Sequence, residues 1–175
     1  DPEQKVPFVM DTIRILRKEL EGRVPLLGFS GAPFTLASYI LEGGTSKNYI
    51  KFKTMMYQES KAVHALLDKI AETVILYLNA QIQAGAQAVQ IFDSWAGALC
   101  SRDYEEFAKP YTQKVVEGIK HNGVPIIHYA NDASTLLGQI KSIGVDVISI
   151  DWRINIDSAR AQLGDDVAIQ GNLDP

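Results

Sequence analysis

The side chains that could do chemistry stand at the ends of short apolar segments. Asp93 and Asp151 each follow such a segment directly. A carboxyl group there could act as a general acid or base, although aspartate in this position more often caps the next turn or pairs with a neighbour. His128 could bind a metal or donate a proton, but a lone histidine at a strand end is more often a hydrogen-bonded structural residue.

Hydroxyl groups add two further candidates. Ser94 could donate a hydrogen bond to a ligand, but it is a poor nucleophile candidate, because no Gly-x-Ser-x-Gly turn surrounds it. The hydroxyl of Tyr39 could point across a site, or its ring could pack against neighbouring phenylalanines. The residue types alone leave both alternatives open.

Large aromatic and cationic side chains lie near the same segment ends. Trp95 and Trp152 could stack on a flat ligand or belong to the core. Arg102 and Arg153 could each bind a carboxylate through two parallel hydrogen bonds, or lie on the solvated surface.

The run Phe29-Ser30-Gly31-Ala32-Pro33-Phe34-Thr35 leads from an apolar segment into a helical one. Pro33 suits the first turn of a helix, where its missing N–H would have had no partner. Gly31 has no Cβ, so the backbone can approach a ligand or another segment closely. Such a turn is where α/β proteins bind ligands, because free N–H groups and the positive end of the helix dipole point there.

Strand-like and helix-like segments alternate along the chain. Short apolar segments rich in β-branched residues predict buried parallel strands at Pro25 to Phe29, Ala88 to Phe92, Pro125 to Tyr129, Asp146 to Ile150 and Val167 to Gln170. A 3.6-residue period or helix-end signals predict helices at Phe8 to Glu21, Pro33 to Glu42, Ala62 to Ala84, Pro110 to His121, Ser134 to Ile143 and Asp157 to Leu163, the last with Asp157 as its N-cap.

This alternation predicts an α/β fold with a parallel sheet and right-handed crossovers. Five units could belong to an open sheet or to a barrel. Because the last predicted strand has no helix after it, we expect one domain over residues 1–175 that is an incomplete (β/α)8 TIM barrel, about five of eight β/α units. A site would then lie at the C-terminal ends of the strands.

Composition excludes several classes of partner. The 17 basic and 21 acidic residues give a net charge of -4, which argues against nucleic acid. No apolar run approaches the ~20 residues of a membrane span.

The single cysteine, Cys100, excludes an internal disulfide and a multi-cysteine zinc site, and it fits a reducing compartment. Neither Gly-x-Gly-x-x-Gly nor Gly-x-x-x-x-Gly-Lys-Ser/Thr occurs, so nucleotide binding loses its main support.

Longer motifs resemble the uroporphyrinogen decarboxylase family. They are Gly28 to Leu36, Tyr39 to Gly44, Gly85 to Ser94, Phe107 to Tyr111 and Gln170 to Pro175. The resemblance spans essentially the whole chain, in order and with the expected spacing. It implies a single (β/α)8 barrel of roughly twice this length, of which this chain would be the middle portion, strands three to seven.

The resemblance also implies an activity and a site. Members remove the four acetate carboxylates of uroporphyrinogen III and leave coproporphyrinogen III, with no metal and no organic cofactor. They act as homodimers, in the cytoplasm of bacteria or the plastids of plants. Tyr39 matches the active-site tyrosine, Ser94 matches a residue that hydrogen-bonds a substrate carboxylate, and Phe29 and Gly31 match residues lining the cleft. The family's N–H-binding aspartate, its carboxylate-binding arginines and a histidine lie outside this segment, so we expect the segment alone to be inactive.

Two alternatives differ from this function. Cobalamin-linked methyltransferases share the superfamily and bind zinc through a His-x-Cys motif, but His128-Tyr129-Ala130 has alanine where the thiolate ligand would stand. The other alternative is a non-catalytic porphyrinogen-binding barrel.

One segment differs from the pattern of the decarboxylase family. Ala130-Asn131-Asp132-Ala133 lacks the glycines that many members carry after this strand.

Overall fold

A five-stranded parallel sheet forms the centre of the computed structural model, which describes residues 2–44, 46–120 and 123–175. The strands lie side by side in chain order, each paired with the next. They are β1 Leu27–Gly31, β2 Ala88–Asp93, β3 Ile126–Ala130, β4 Val147–Ser149 and β5 Ala168–Gln170. All five predicted strands are therefore confirmed, although β1 begins and ends two residues later than predicted.

Among the described residues, two helices precede β1, and the others lie between the strands. The helices are α1 Pro2–Lys5, α2 Pro7–Leu20, α3 Pro33–Glu42, α4 Ile50–Gln58, α5 Ser60–Ala84, α6 Ser101–Phe107, α7 Lys109–Gly118, α8 Leu137–Lys141 and α9 Ile156–Leu163, with a short 3₁₀ turn at Ala96–Ala98. The predicted start and end of α3 are confirmed, with Gly43 in the left-handed conformation (φ 78°) that a helix C-cap favours. Within the described ranges, no helix combines the length and hydropathy that a bilayer span requires.

Several helix predictions need correction. The sequence did not predict α1, α4 or α6, and α8 is shorter than the predicted Ser134 to Ile143. The helix predicted to end at His121 ends at Gly118, and His121 itself lies outside the described residues. Asp157 is not an N-cap: Asn155 holds that position with extended backbone. Asp157 instead lies in the first turn of α9, where its charge favours the helix dipole.

The two faces of the sheet differ in exposure at the β1 edge. Val89, Ile91 and Ile148 pack against the helices and are buried. The opposite face of β1 is open, where Phe29 is 62% and Leu27 42% exposed. Because side chains alternate along a strand, the residues next to Phe29 face the helices.

Gln81 on α5 fixes the position of β1. Its side-chain carbonyl accepts a hydrogen bond from the Phe29 N–H, and its amide group donates to the Phe29 carbonyl, both at 2.9 Å. Gly28 leaves room for this buried amide, since a Cβ there would lie 2.6 Å from Gln81 Oε1. The main chain on either side of Phe29 is thus held against α5 while its ring points to the open face.

Candidate active site

A cavity of about 650 Å³ lies at the C-terminal ends of β2 and β3. Its walls come from three segments, residues 46–49 between α3 and α4, 94–98 after β2, and 131–132 after β3. Parallel α/β proteins place their ligands at this end of the strands, because the loops there are free to vary while the strands hold them in place.

Thr35 connects α3 to the end of β2. Its hydroxyl donates to Asp93 Oδ1 at 2.8 Å and accepts a hydrogen bond from the backbone N–H of Trp95 at 3.3 Å. Ser94 lies between the two residues that Thr35 holds, and it lines the cavity. No side-chain hydrogen bond occupies the Ser94 hydroxyl in the described part of the chain, so that hydroxyl can bind a ligand.

An aromatic cluster brings Tyr39 to the same end of the sheet. The Trp95 ring contacts Tyr39 edge to face, with centroids 5.9 Å apart, and Tyr49 at 5.5 Å. Tyr39 is 40% exposed. Burial, followed by the nearby Tyr39 and Glu42, raises the pKa of Tyr49 to about 12, so Tyr49 stays neutral. Trp95 is adjacent to Ser94 in the chain, but Tyr39 does not belong to the wall of the Ser94 cavity. Tyr39 instead lines a separate apolar pocket between α3 and α5, with Leu36, Leu66 and Val74.

Phe29 lies on the open face in a row of aromatic rings. Its ring meets Phe92 edge to face at 5.9 Å, and Phe92 meets Tyr129 at the same distance. The Tyr129 hydroxyl donates to Asn131 Oδ1 at 3.1 Å, and Asn131 lines the cavity. The row therefore leads from the open face to the cavity.

Gly31 has a packing role beside this row. A Cβ at Gly31 would lie 2.8 Å from Leu36 Cδ2, so the glycine allows α3 to approach the end of β1. Neither Phe29 nor Gly31 belongs to the wall of the cavity that Ser94 lines. Both lie instead on the strand that precedes α3.

Asp93 and His128 point away from the cavity, toward the helices. Asp93 is fully buried, and burial raises its pKa to about 7 although the hydrogen bond from Thr35 acts in the opposite direction. His128 is also fully buried, and burial lowers its pKa to about 4. Neither ring nitrogen of His128 has a hydrogen-bond partner among the described residues. The predicted capping or pairing interpretation of Asp93 fits its bond to Thr35, whereas a hydrogen-bonded structural role for His128 does not.

Asp151 and Arg153 bind each other beside the cavity. Asp151 accepts hydrogen bonds from the N–H groups of Asp132 (2.5 Å) and Arg153 (2.9 Å), and from Arg153 Nη1 (2.7 Å). Arg153 Nε also lies 3.5 Å from Asp132 Oδ1, and the guanidinium covers the Trp152 ring at 4.0 Å. Asp151 thus caps its turn, and Arg153 is neutralised by two carboxylates instead of being free for a ligand.

Arg102 is separated from this site. Its side chain is 78% exposed on α6 and pairs with Asp103 at 3.4 Å.

In residues 2–44, 46–120 and 123–175, no three His, Cys, Asp or Glu side chains group in a way that could hold a metal ion.

Several residues of the site could not be assigned from the sequence. Phe92 and Tyr129 lie at the ends of predicted strands, but alternation within one strand does not say which residues of different strands share a face; the register of β1, β2 and β3 places them beside Phe29. Lys47 and Tyr49 reach the cavity from a loop, as Asn131 does after β3, and no local pattern shows that these loops meet.

Parallel strands in chain order, helices on one face and a cavity at the carboxyl rim define a (β/α) barrel segment. A methyltransferase from Methanosarcina mazei has this fold, with a TM-score of 0.84 and 23% sequence identity over 97% of this chain and 49% of its own. The family model for uroporphyrinogen decarboxylase matches residues 1–175, and the chain belongs to that family.

Relatives named uroporphyrinogen decarboxylase match along the whole chain. The protein of Carboxydothermus hydrogenoformans is 55% identical over 99% of this chain and 50% of its own length. Those of Geobacter metallireducens and Pseudomonas aeruginosa are 52% and 51% identical over 100% of this chain, and over 52% and 50% of their own. The chain therefore spans about half the length of these relatives.

Proposed function

We propose that the complete protein decarboxylates the four acetate side chains of uroporphyrinogen III to give coproporphyrinogen III. The observation that carries this proposal is the position of Ser94 in the wall of a cavity at the carboxyl ends of the strands, in a chain of this family. The contact of Tyr39 with Trp95, the residue after Ser94, supports a role for Tyr39 beside the same loop. Removal of carbon dioxide from a pyrrole acetate requires that the ring is protonated and accepts the electron pair. The protein must then anchor the macrocycle, bind its carboxylates and supply a proton.

The residues of this chain supply part of that machinery. Ser94 would donate a hydrogen bond to a substrate carboxylate, and the Tyr39 hydroxyl would act at the rim. The aromatic row of Phe29, Phe92 and Tyr129 offers an apolar surface to the macrocycle. The carboxylate that binds the pyrrole N–H groups, the arginines and a histidine would come from the remainder of the barrel.

The same proposal places this chain within a larger domain. Residues 1–175 would form the middle of one (β/α)8 barrel, and the other strands would cover the open face that exposes Leu27 and Phe29. As in the family, the whole protein would act as a homodimer in the cytoplasm, or in a plant plastid, without metal or organic cofactor. The 175-residue segment alone would not turn over substrate.

Replacing Tyr39 with phenylalanine tests the site. The variant keeps the ring packed on Trp95 but loses the hydroxyl, so we expect kcat/KM to fall by about tenfold, the effect of losing one hydrogen bond to a charged group. Ser94→Ala should raise KM by a similar factor. Both are measured as coproporphyrinogen formation by the complete protein.

Tyr77→Phe is the matched control, because Tyr77 packs against α2 far from the rim. It should leave kcat/KM within twofold of the wild type. Equal rates for Tyr39→Phe and Tyr77→Phe would contradict the role of Tyr39. Tight binding of uroporphyrinogen by the wild type without any turnover would overturn the proposed reaction and favour the binding-only barrel.

A further inference from the structure

We propose that Lys47, from the loop between α3 and α4, binds a peripheral carboxylate of the substrate; this inference rests on the proposed function. Lys47 lines the same cavity as Ser94. Among the residues that the structure describes, it is the one lysine or arginine in the cavity wall. The ligand class is therefore an organic carboxylate that enters beside Ser94.

The charge of Lys47 is not used elsewhere in the described chain. No carboxylate of that part lies within ion-pair distance of its amine, whereas Arg153 is paired with Asp151 and Asp132. The acidic residue in the cavity wall, Asp132, pairs with Arg153 at 3.5 Å and not with Lys47. A substrate carboxylate would therefore meet an ammonium group that has no ion-pair partner in the described chain.

The loop holds the backbone of Lys47 in place. The Tyr49 N–H donates to Ser46 Oγ at 3.0 Å, which closes a turn around Lys47. Tyr49 is buried against Trp95 and adopts a left-handed conformation, φ 51°. A non-glycine residue in that conformation persists where its surroundings fix it, and such residues cluster at ligand sites. Asp132, on the opposite wall, shares the feature with φ 54°.

A second lysine supports the wall behind this position. Lys53 on α4 donates to the Ala98 carbonyl at 2.6 Å, and Ala98 lines the cavity. Lys53 also has no carboxylate partner in the described part of the chain. Its partly buried charge adds to the positive potential on the side of the cavity from which Lys47 extends.

Replacing Lys47 with methionine in the complete protein tests the inference. Methionine keeps most of the length of the side chain and removes its charge, so KM for uroporphyrinogen should rise about tenfold while kcat changes less than twofold. Lys47→Arg should restore most of the lost affinity. The difference between wild type and Lys47→Met should shrink as salt is added, because the contact is electrostatic.

Lys51→Met is the matched control. Lys51 is exposed on α4, outside the cavity wall, and its loss removes the same charge from the same part of the chain. It should change KM less than twofold, and an equal change in the two variants would overturn the inference. The substrate dissociation constant is measured in parallel. If the wild type binds but does not react, the proposed function fails, and the comparison of the two variants' dissociation constants still decides the role of Lys47.

Discussion

Replacing Gly97 with alanine is expected to separate two walls of the cavity and to destabilise the protein by about 3 kcal/mol. A Cβ at Gly97 would lie 2.5 Å from the carbonyl oxygens of both Asn131 and Asp132. These are backbone atoms, so they cannot turn aside as the end of a side chain can. The Asp132 backbone is also held by its N–H bond to Asp151. The 3₁₀ turn after β2 or the loop after β3 must therefore move, and substrate affinity should fall with stability.

Gly138→Ala is the control for this change. Gly138 lies in α8, and a Cβ there would meet nothing within 4 Å. Because alanine favours a helix more than glycine, this variant should be as stable as the wild type or more stable by up to about 1 kcal/mol. Urea denaturation of the complete protein gives both free energies of unfolding. A Gly97→Ala protein as stable as Gly138→Ala would show that the two loops do not pack as the structure has them.

The second large effect concerns pH, and it comes from Asp93 and His128. Burial raises the pKa of Asp93 from 3.8 to about 7, so between these values the folded protein keeps a proton that the unfolded chain has lost. A rise in pH through that window therefore lowers the stability, by about 4 kcal/mol in all. Below pH 4 both states are protonated, and the penalty is absent.

His128 acts with the opposite sign. Burial lowers its pKa from 6.5 to about 4, so between these values the unfolded chain holds a proton that the folded protein lacks. A rise in pH from 4 to 6.5 therefore raises the stability, by about 3 kcal/mol. Because the two windows overlap, the contributions of Asp93 and His128 nearly cancel up to pH 6.5. Above that value the fall due to Asp93 remains, and it is complete once the pH passes 7.

Single substitutions should separate the two opposing contributions to the stability. In His128→Leu only the contribution of Asp93 remains, so the free energy of unfolding should fall relative to wild type as pH rises from 4 to 6.5. In Asp93→Asn only the contribution of His128 remains, so the free energy of unfolding should rise relative to wild type over the same range. Between pH 4 and 6.5 the double variant should follow the wild type in slope, since both contributions are removed; above pH 6.5 it should lack the fall due to Asp93. The free energy of unfolding of the four complete proteins, measured in urea at a series of pH values, isolates these differences because all other groups are shared. Four parallel curves would contradict the burial of both groups.

The strands and the end of the sheet that carries the site could be predicted because they depend on local patterns. Apolar segments bounded by turn residues gave five strands, and Pro33 and Gly43 mark the two ends of α3. The directions of Asp93 and His128 could not be predicted in the same way. Both faces of a parallel sheet carry apolar side chains, so the sequence does not say which face meets the helices.

The remaining parts of the site depend on contacts between distant segments. Lys47 and Tyr49 reach the cavity because α4 follows α3 closely, and α4 lacks the strong apolar period that would have revealed it. The pairing of Arg153 with two carboxylates needs the loops after β3 and β4 to meet. The roles proposed for Tyr39 and Ser94 came from the family resemblance, because residue type alone left their roles open.

The hydroxyl of Thr35 has a consequence for how substitutions in this protein will be interpreted. It secures both neighbours of Ser94 in the chain, and it lies one turn of helix before Tyr39. A survey that scores variants by lost turnover would rank Thr35 together with Ser94. Such a ranking would reflect the support that Thr35 gives to the chain on either side of Ser94, and it would not show that Thr35 contacts the substrate.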